Sequence, residues 1–195
     1  MNFLNLGKYL SFFILIISGV VYVIGDPLQK LISYQGPIIG GAILGWYVMN
    51  SSTPKDKFVD LDGTQMPIAS LLLRKRSWIG FVIFSFLVIP WLTPLAFRAV
   101  ETNAAISILA YASELSGGFI AGYFISSLKF MEKVVLYSLA FAGDLFYVIV
   151  LYIFSQIYGL PETVLVDNVL GYVYGIKFSE GVIFAVYVIK KINAI

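Results

Sequence analysis

Long runs of apolar residues, separated by short polar segments, dominate the chain. Six runs come close to the roughly 20 residues that a helix needs to cross a bilayer, and they cover residues 9–25, 31–50, 78–97, 103–127, 134–157 and 164–189. These runs are continuous rather than alternating, which favours helices over strands. Pro90 and Pro94 predict a kink in the outer half of the third helix. The pattern predicts an all-α, polytopic integral membrane protein, with residues 1–195 forming a single membrane domain built as a six-helix bundle.

Composition narrows the possible chemistry. The 195 residues are 59% hydrophobic and 12% charged, whereas about 25% of the residues in an average globular protein are charged. The absence of Cys and His excludes disulfides, thiol chemistry, iron–sulfur ligation, histidine-held haem and Ser-His-Asp catalysis. A net charge of +2 gives no indication of nucleic-acid binding. We therefore expect no enzymatic activity, no cofactor, no metal site and no nucleic-acid partner.

The basic residues predict the orientation of the chain. The loop at residues 51–77 contains Lys55, Lys57, Arg74, Lys75 and Arg76. On the same side of the predicted bundle lie Lys8, Lys129, Lys133, Lys190 and Lys191, while the opposite side has Lys30 and Arg98. Because cytoplasmic loops are enriched in Lys and Arg, we expect a multi-pass cell-membrane protein with this loop and both termini in the cytoplasm. Residues 66–73 and the basic triplet after them are predicted to lie at the membrane interface.

Residues 58–64 of that loop read Phe-Val-Asp-Leu-Asp-Gly-Thr. This run resembles the first motif of haloacid-dehalogenase-type phosphatases, in which the first Asp is the nucleophile. That resemblance implies an α/β domain around the motif, and the loop is too short to hold one. An acidic turn, with Gly63 providing backbone freedom, is the interpretation that we adopt.

Three of the predicted helices contain glycines at four-residue spacing. These glycines are Gly41 and Gly45, Gly118 and Gly122, and Gly171 and Gly175. Such spacing lets the backbones of two membrane helices approach closely, so we predict that these six residues lie at helix contacts. The alternative interpretation is a repeated helical hairpin, as in transporters built from parallel repeats.

Four charged residues fall near the centres of the last three predicted helices, namely Glu114, Asp144, Lys177 and Glu180. At 1.5 Å per residue their depths agree within roughly 6 Å. Tyr111, Tyr137 and Tyr174 lie within a turn or two and are candidate hydrogen-bond donors. Because three ionised acids and one base would leave a net charge of −2, we expect either that about two acids stay protonated or that a cation completes the site. A buried ion-pair network that only joins helices is the alternative.

These features favour a small transporter or a solute-binding membrane subunit, coupled to protons or cations through the charged cluster. Its expected partners are the lipid bilayer and a small cationic or proton-coupled solute. The general layout is similar to that of the substrate-binding subunits of energy-coupling-factor vitamin transporters. The alternative function is that of a non-catalytic subunit of a larger membrane complex, with other membrane subunits as partners.

Two further resemblances are incomplete. A lysine in the middle of the last helix, Lys177, resembles the retinal-binding lysine of microbial rhodopsins, which have one helix more than the six predicted here. Residues Gly143 and Asp144 resemble part of the Gly-x-Gly-Asp motif of membrane aspartyl proteases, but position 141 is Phe.

Overall fold

The computed structural model describes residues 3–25, 29–30, 33–61, 64–158 and 171–192. Its helices are α1 (Phe3–Ile24), α2 (Gln35–Ser51), α3 (Ile68–Leu73), α4 (Ser77–Val88), α5 (Pro94–Thr102), α6 (Ala104–Ile125), α7 (Phe130–Tyr158) and α8 (Gly171–Ile192). Short 3-10 turns cover Lys55–Lys57, Arg74–Arg76 and Ile89–Leu92, and two short strands are β1 (Phe58–Leu61) and β2 (Thr64–Pro67). The described part of the chain is therefore mostly helical, which confirms the all-α class.

Two of the helices, α1 and α6, are long and apolar enough to cross a membrane. They correspond to the first and fourth predicted spans, and this finding is consistent with a membrane location. Helix α2 has 17 residues, which is about the lower limit for a span. The first residues of the sixth predicted span, 164–170, lie outside the described residues. The six-helix bundle and the orientation of the termini stay predictions.

The third predicted span is not one kinked helix, so that expectation was wrong. Helix α4 ends at Val88, the 3-10 turn at Ile89–Leu92 follows, and Thr93 is extended with φ −88° and ψ 151° before α5 begins. Proline explains the break: Pro90 has no N–H to donate, and Pro94 favours an extended conformation for the residue before it.

The loop after α2 contains a hairpin that the sequence pattern did not predict. Strands β1 and β2 pair antiparallel, with Phe58 opposite Pro67 and Asp60 opposite Gln65. Asp60 thus lies within a local two-stranded ribbon, and not at the end of a strand in a parallel sheet. The expected acidic turn falls partly on residues 62–63, which lie outside the described residues. Helix α3 then follows directly, within the segment that we predicted to be interfacial.

The contacts of the chain define two compact units, Met1–Lys129 and Phe130–Ile195, and each is described by itself. In the first unit, α6 packs against both α2 and α4, and α1 packs against α2. The outer surface of α1 is strongly apolar: Phe13 is 62% exposed and Ile16 is 66% exposed. Exposed apolar surface of this extent suits contact with lipid acyl chains better than contact with water.

Candidate functional site

Four of the predicted packing glycines bring α2 and α6 into backbone contact. A Cβ atom at Gly45 would overlap the carbonyl oxygen of Phe119, and one at Gly122 would overlap the carbonyl oxygen of Ala42. A Cβ atom at Gly41 or Gly118 would also collide with the main chain of the opposite helix. The contact therefore fixes the rotation of α6, and Glu114 lies one helical turn before Gly118 on this inward side.

The carboxyl group of Glu114 is enclosed by the first unit. Glu114 is 2% exposed, and its Oε2 atom accepts a hydrogen bond of 2.8 Å from the Tyr22 hydroxyl. The two residues are 92 positions apart in the chain. A charged or polar group within a membrane span is costly unless another group satisfies it, and here the partner is a hydroxyl on α1.

Tyr22 is the residue of this site that the sequence did not indicate. Three buried residues of α1, namely Ser11, Ser18 and Tyr22, are separated by seven and four positions and so form one stripe along the helix. Ser11 Oγ donates to the Gly40 carbonyl oxygen at 2.7 Å. A polar stripe at helical spacing within an apolar run is the signal that could have located Tyr22.

Tyr111 lies beside this pair but donates to a different acceptor. Its hydroxyl donates to the carbonyl oxygen of Leu15 at 2.7 Å and lies 3.2 Å from Ser18 Oγ. The rings of Tyr22 and Tyr111 meet edge to face, with centroids 5.1 Å apart, a favourable geometry for aromatic pairs. Tyr111 therefore holds the Tyr22 ring in place. The hydrogen-bond donor to Glu114 is Tyr22 and not Tyr111, which was a predicted candidate for that role.

A cavity of about 610 Å³ adjoins the two tyrosines. Its lining residues are Gly19, Tyr22, Val23, Lys30, Val100, Thr102, Ala104, Ser107, Ile108, Tyr111 and Ala112. Small-molecule sites typically measure about 300–1,000 Å³ and combine apolar walls with a few polar groups. Glu114 is not among these lining residues, whereas Tyr22, which donates a hydrogen bond to its carboxyl group, is one of them.

The second unit contains the other predicted charges. Lys177 Nζ and Glu180 Oε2 form an ion pair at 2.6 Å within α8. The rings of Tyr137 on α7 and Phe184 on α8 stack with centroids 3.8 Å apart. The side chains of Asp144 and Tyr174, and the surroundings of Gly171, lie outside the described residues. A Cβ atom at Gly175 would meet no heavy atom within 4 Å in the described part of the chain.

The structure thus shows only parts of the predicted layer of four charged residues. The structure joins Lys177 to Glu180 in the second unit and places Glu114 with Tyr22 in the first. Among the described residues, no group of three or more Asp, Glu, His or Cys side chains could hold a metal ion. A single layer of all four charges stays a prediction.

Comparison with known proteins gives no relative: no family model, no curated protein and no solved structure matches the chain. The function therefore has to be inferred from the cavity and its polar groups.

Proposed function

We propose that the chain is a small multi-pass membrane protein that binds a solute in the cavity of its first unit, as a transporter or as its solute-binding subunit. The observation that carries this proposal is the 610 Å³ cavity, in which a tyrosine that lines the space is hydrogen-bonded to the buried Glu114. A few polar groups among apolar lining residues are the usual arrangement of a selective small-molecule site.

The proposed topology has six spans with both termini in the cytoplasm. Helices α1 and α6 support it by length and composition, and the basic residues support the orientation. The broken third segment is compatible with this topology, because α4 and the 3-10 turn after it together rise about 26 Å, close to the hydrocarbon thickness of about 30 Å.

In this orientation the cavity opens on the outer side of the membrane. Its walls come from the last turns of α1, the end of α5 and the first turns of α6. These segments lie at the opposite end of the spans from the basic loop at residues 51–77. A solute therefore enters from outside and meets the tyrosines before it meets Glu114.

The Tyr22–Glu114 pair gives the site a means of coupling. A solute with an ammonium group gains a charge-assisted contact when it replaces the Tyr22 hydroxyl at the ionised carboxylate, and protonation of Glu114 removes that contact. The Tyr22 hydroxyl, once released from Glu114, remains close enough to form a hydrogen bond with the solute. Binding of the solute and the charge state of Glu114 are thereby linked, which is the requirement for proton- or cation-coupled uptake.

Retention of a native solute tests this proposal. The full chain is extracted in mild detergent, and the small molecules released on denaturation are identified by mass spectrometry. The variant Ala112→Phe adds a bulky ring at a residue that lines the cavity, and Ser116→Phe, one turn further along the same exposed face of α6 and not among the lining residues, is the matched control. We expect a compound that accompanies the wild type and S116F but is lost from A112F.

Two results would contradict the proposal. Identical small-molecule contents in A112F and S116F would show that the cavity holds nothing specific. Migration of the chain with other membrane proteins, and without a retained solute, would favour the alternative function as a non-catalytic subunit of a larger complex.

A further inference from the structure

The segment from α3 to the start of α4 is buried in part. Ser70 on α3 and Ser77 and Gly80 at the start of α4 are buried, so each of the two helices has a buried side. Ser70 Oγ donates to the Pro67 carbonyl oxygen at 2.7 Å, and a Cβ atom at Gly80 would collide with the Phe124 ring. The close contact at Gly80 therefore determines which side of α4 faces α6.

The exposed surface of this segment combines apolar with basic side chains. Leu72 is 78% exposed and Trp78 is 64% exposed, while Lys75 and Arg76 between them are exposed as well. Long basic side chains beside exposed Leu and Trp are typical of segments at the boundary between acyl chains and lipid headgroups. We refer to residues 72–78 as the basic interfacial turn.

The positive charge of this turn is not compensated within the described part of the chain. Neither Lys75 nor Arg76 has an ion-pair or hydrogen-bond partner there. The Nε atom of Arg74 is buried and has no hydrogen-bond acceptor among the described residues. A buried donor without an acceptor costs free energy, so Arg74 adds a third cationic side chain that is not fully satisfied, next to Lys75 and Arg76.

We propose that the basic interfacial turn is a docking surface for anionic phospholipids of the cytoplasmic leaflet. The phosphate and acidic headgroup contact Arg74, Lys75 and Arg76, while the upper acyl chains cover Leu72 and Trp78. A soluble anion would satisfy the charges but leave these two apolar side chains in water, so the pairing of both features favours a lipid. The inference rests on the proposed membrane topology but not on any solute.

The test compares the response of the purified full chain to two lipids. Thermal unfolding is followed by tryptophan fluorescence in neutral detergent while phosphatidylglycerol or phosphatidylcholine is added. The variant is Lys75→Gln with Arg76→Gln, and the matched control is Lys190→Gln with Lys191→Gln, which removes the same charge from the predicted cytoplasmic end of α8. Lys75→Arg with Arg76→Lys keeps the charge and checks that the turn tolerates substitution.

We expect phosphatidylglycerol to raise the unfolding temperature more than phosphatidylcholine. The phosphatidylglycerol concentration that gives half of this rise should increase about tenfold or more in the charge-removing variant at residues 75 and 76. It should be unchanged in the control at residues 190 and 191 and in the charge-keeping variant. The cavity variant A112F should respond as the wild type does, which separates this proposal from that of the solute site.

Each of four results would overturn the proposal. Equal stabilisation by both lipids would show that the acidic headgroup is not recognised. Equal weakening in the variants at 75/76 and 190/191 would indicate a general effect of charge. An equal temperature rise with inorganic phosphate would assign the turn to a soluble anion, and loss of the lipid effect in A112F would place the lipid in the cavity.

Discussion

In the first unit, α2 and α6 touch through glycines, whereas in the second unit α7 and α8 meet through aromatic rings. The backbone at Gly45 and Gly122 leaves no room for a Cβ atom, while Gly143 and Gly175 have no heavy atom within 4 Å of such a position in the described part of the chain. In the second unit, the stacked rings of Tyr137 and Phe184 join the two helices. Glycines within apolar helices thus have very different surroundings in the two units.

The polar groups differ between the two units as well. In the first unit a hydrogen bond joins two helices, from Tyr22 on α1 to Glu114 on α6. In the second unit the described ion pair joins Lys177 and Glu180 of a single helix. A polar contact between helices, next to a cavity, is what makes the first unit the better candidate for a binding site.

The largest expected effect on the free energy of unfolding comes from adding one methyl group at a glycine. Gly122→Ala places a Cβ atom on the Ala42 carbonyl oxygen, so the helices must separate, and the free energy of unfolding should fall by about 3 kcal/mol. Gly175→Ala is the matched control and should leave stability unchanged or raise it by up to about 1 kcal/mol. Thermal or detergent-induced unfolding measures both variants. Equal stability of the two would contradict the glycine contact.

A smaller effect should follow from removing the hydroxyl of Tyr22. Tyr22→Phe keeps the ring against Tyr111 but takes away the donor to Glu114, and the loss should be about 1 kcal/mol, as for hydrogen bonds between membrane helices. Tyr123→Phe, also in the first unit, serves as the control and should change stability by less than about 0.5 kcal/mol. The same unfolding assay applies. If both variants lose equally, the Tyr22–Glu114 bond contributes nothing particular to the fold.

The smallest effect is expected at the ion pair of the second unit. Because Lys177 and Glu180 lie three residues apart on one helix, the pair adds only about 0.2–0.5 kcal/mol to that helix. Replacing Glu180 with Gln, which removes this ion pair, should therefore change the unfolding free energy by no more than about 0.5 kcal/mol. A much larger loss would show that one of these side chains joins α8 to another helix.

Local sequence signals were sufficient for parts of the fold. The fourth span was predicted to begin at residue 103, and the Asn103 side chain does accept hydrogen bonds from the backbone N–H groups of Ala105 and Ile106 at the start of α6. Pro90 and Pro94 correctly marked the weak point of the third span. They did not reveal that the helix stops there, because a proline inside a helix can either kink it or end it.

The site was harder to predict than the helices. Glu114 was identifiable because an acid within an apolar run is costly and therefore unusual. Its partner was not, since Tyr22 comes from 92 residues away and only the packing of α1 brings the two together. The β1–β2 hairpin was missed for a simpler reason: each strand has only four residues, too few for an alternating pattern to be distinctive.

The accessibility of Ser107 from outside the cell tests the central claim, that the first unit holds a solute cavity open to the outer side. The chain has no cysteine, so Ser107→Cys on the cavity wall and Ser116→Cys on the exposed surface of α6 can each be probed alone. A membrane-impermeant maleimide is applied to intact cells, since it modifies only thiols in contact with water. We predict that S107C is labelled and that S116C, which the proposed topology places against lipid, is not. If Thr102→Cys at the cavity rim is labelled but S107C is not, the cavity is closed. If S107C is labelled only after the cells are permeabilised, the cavity faces the cytoplasm.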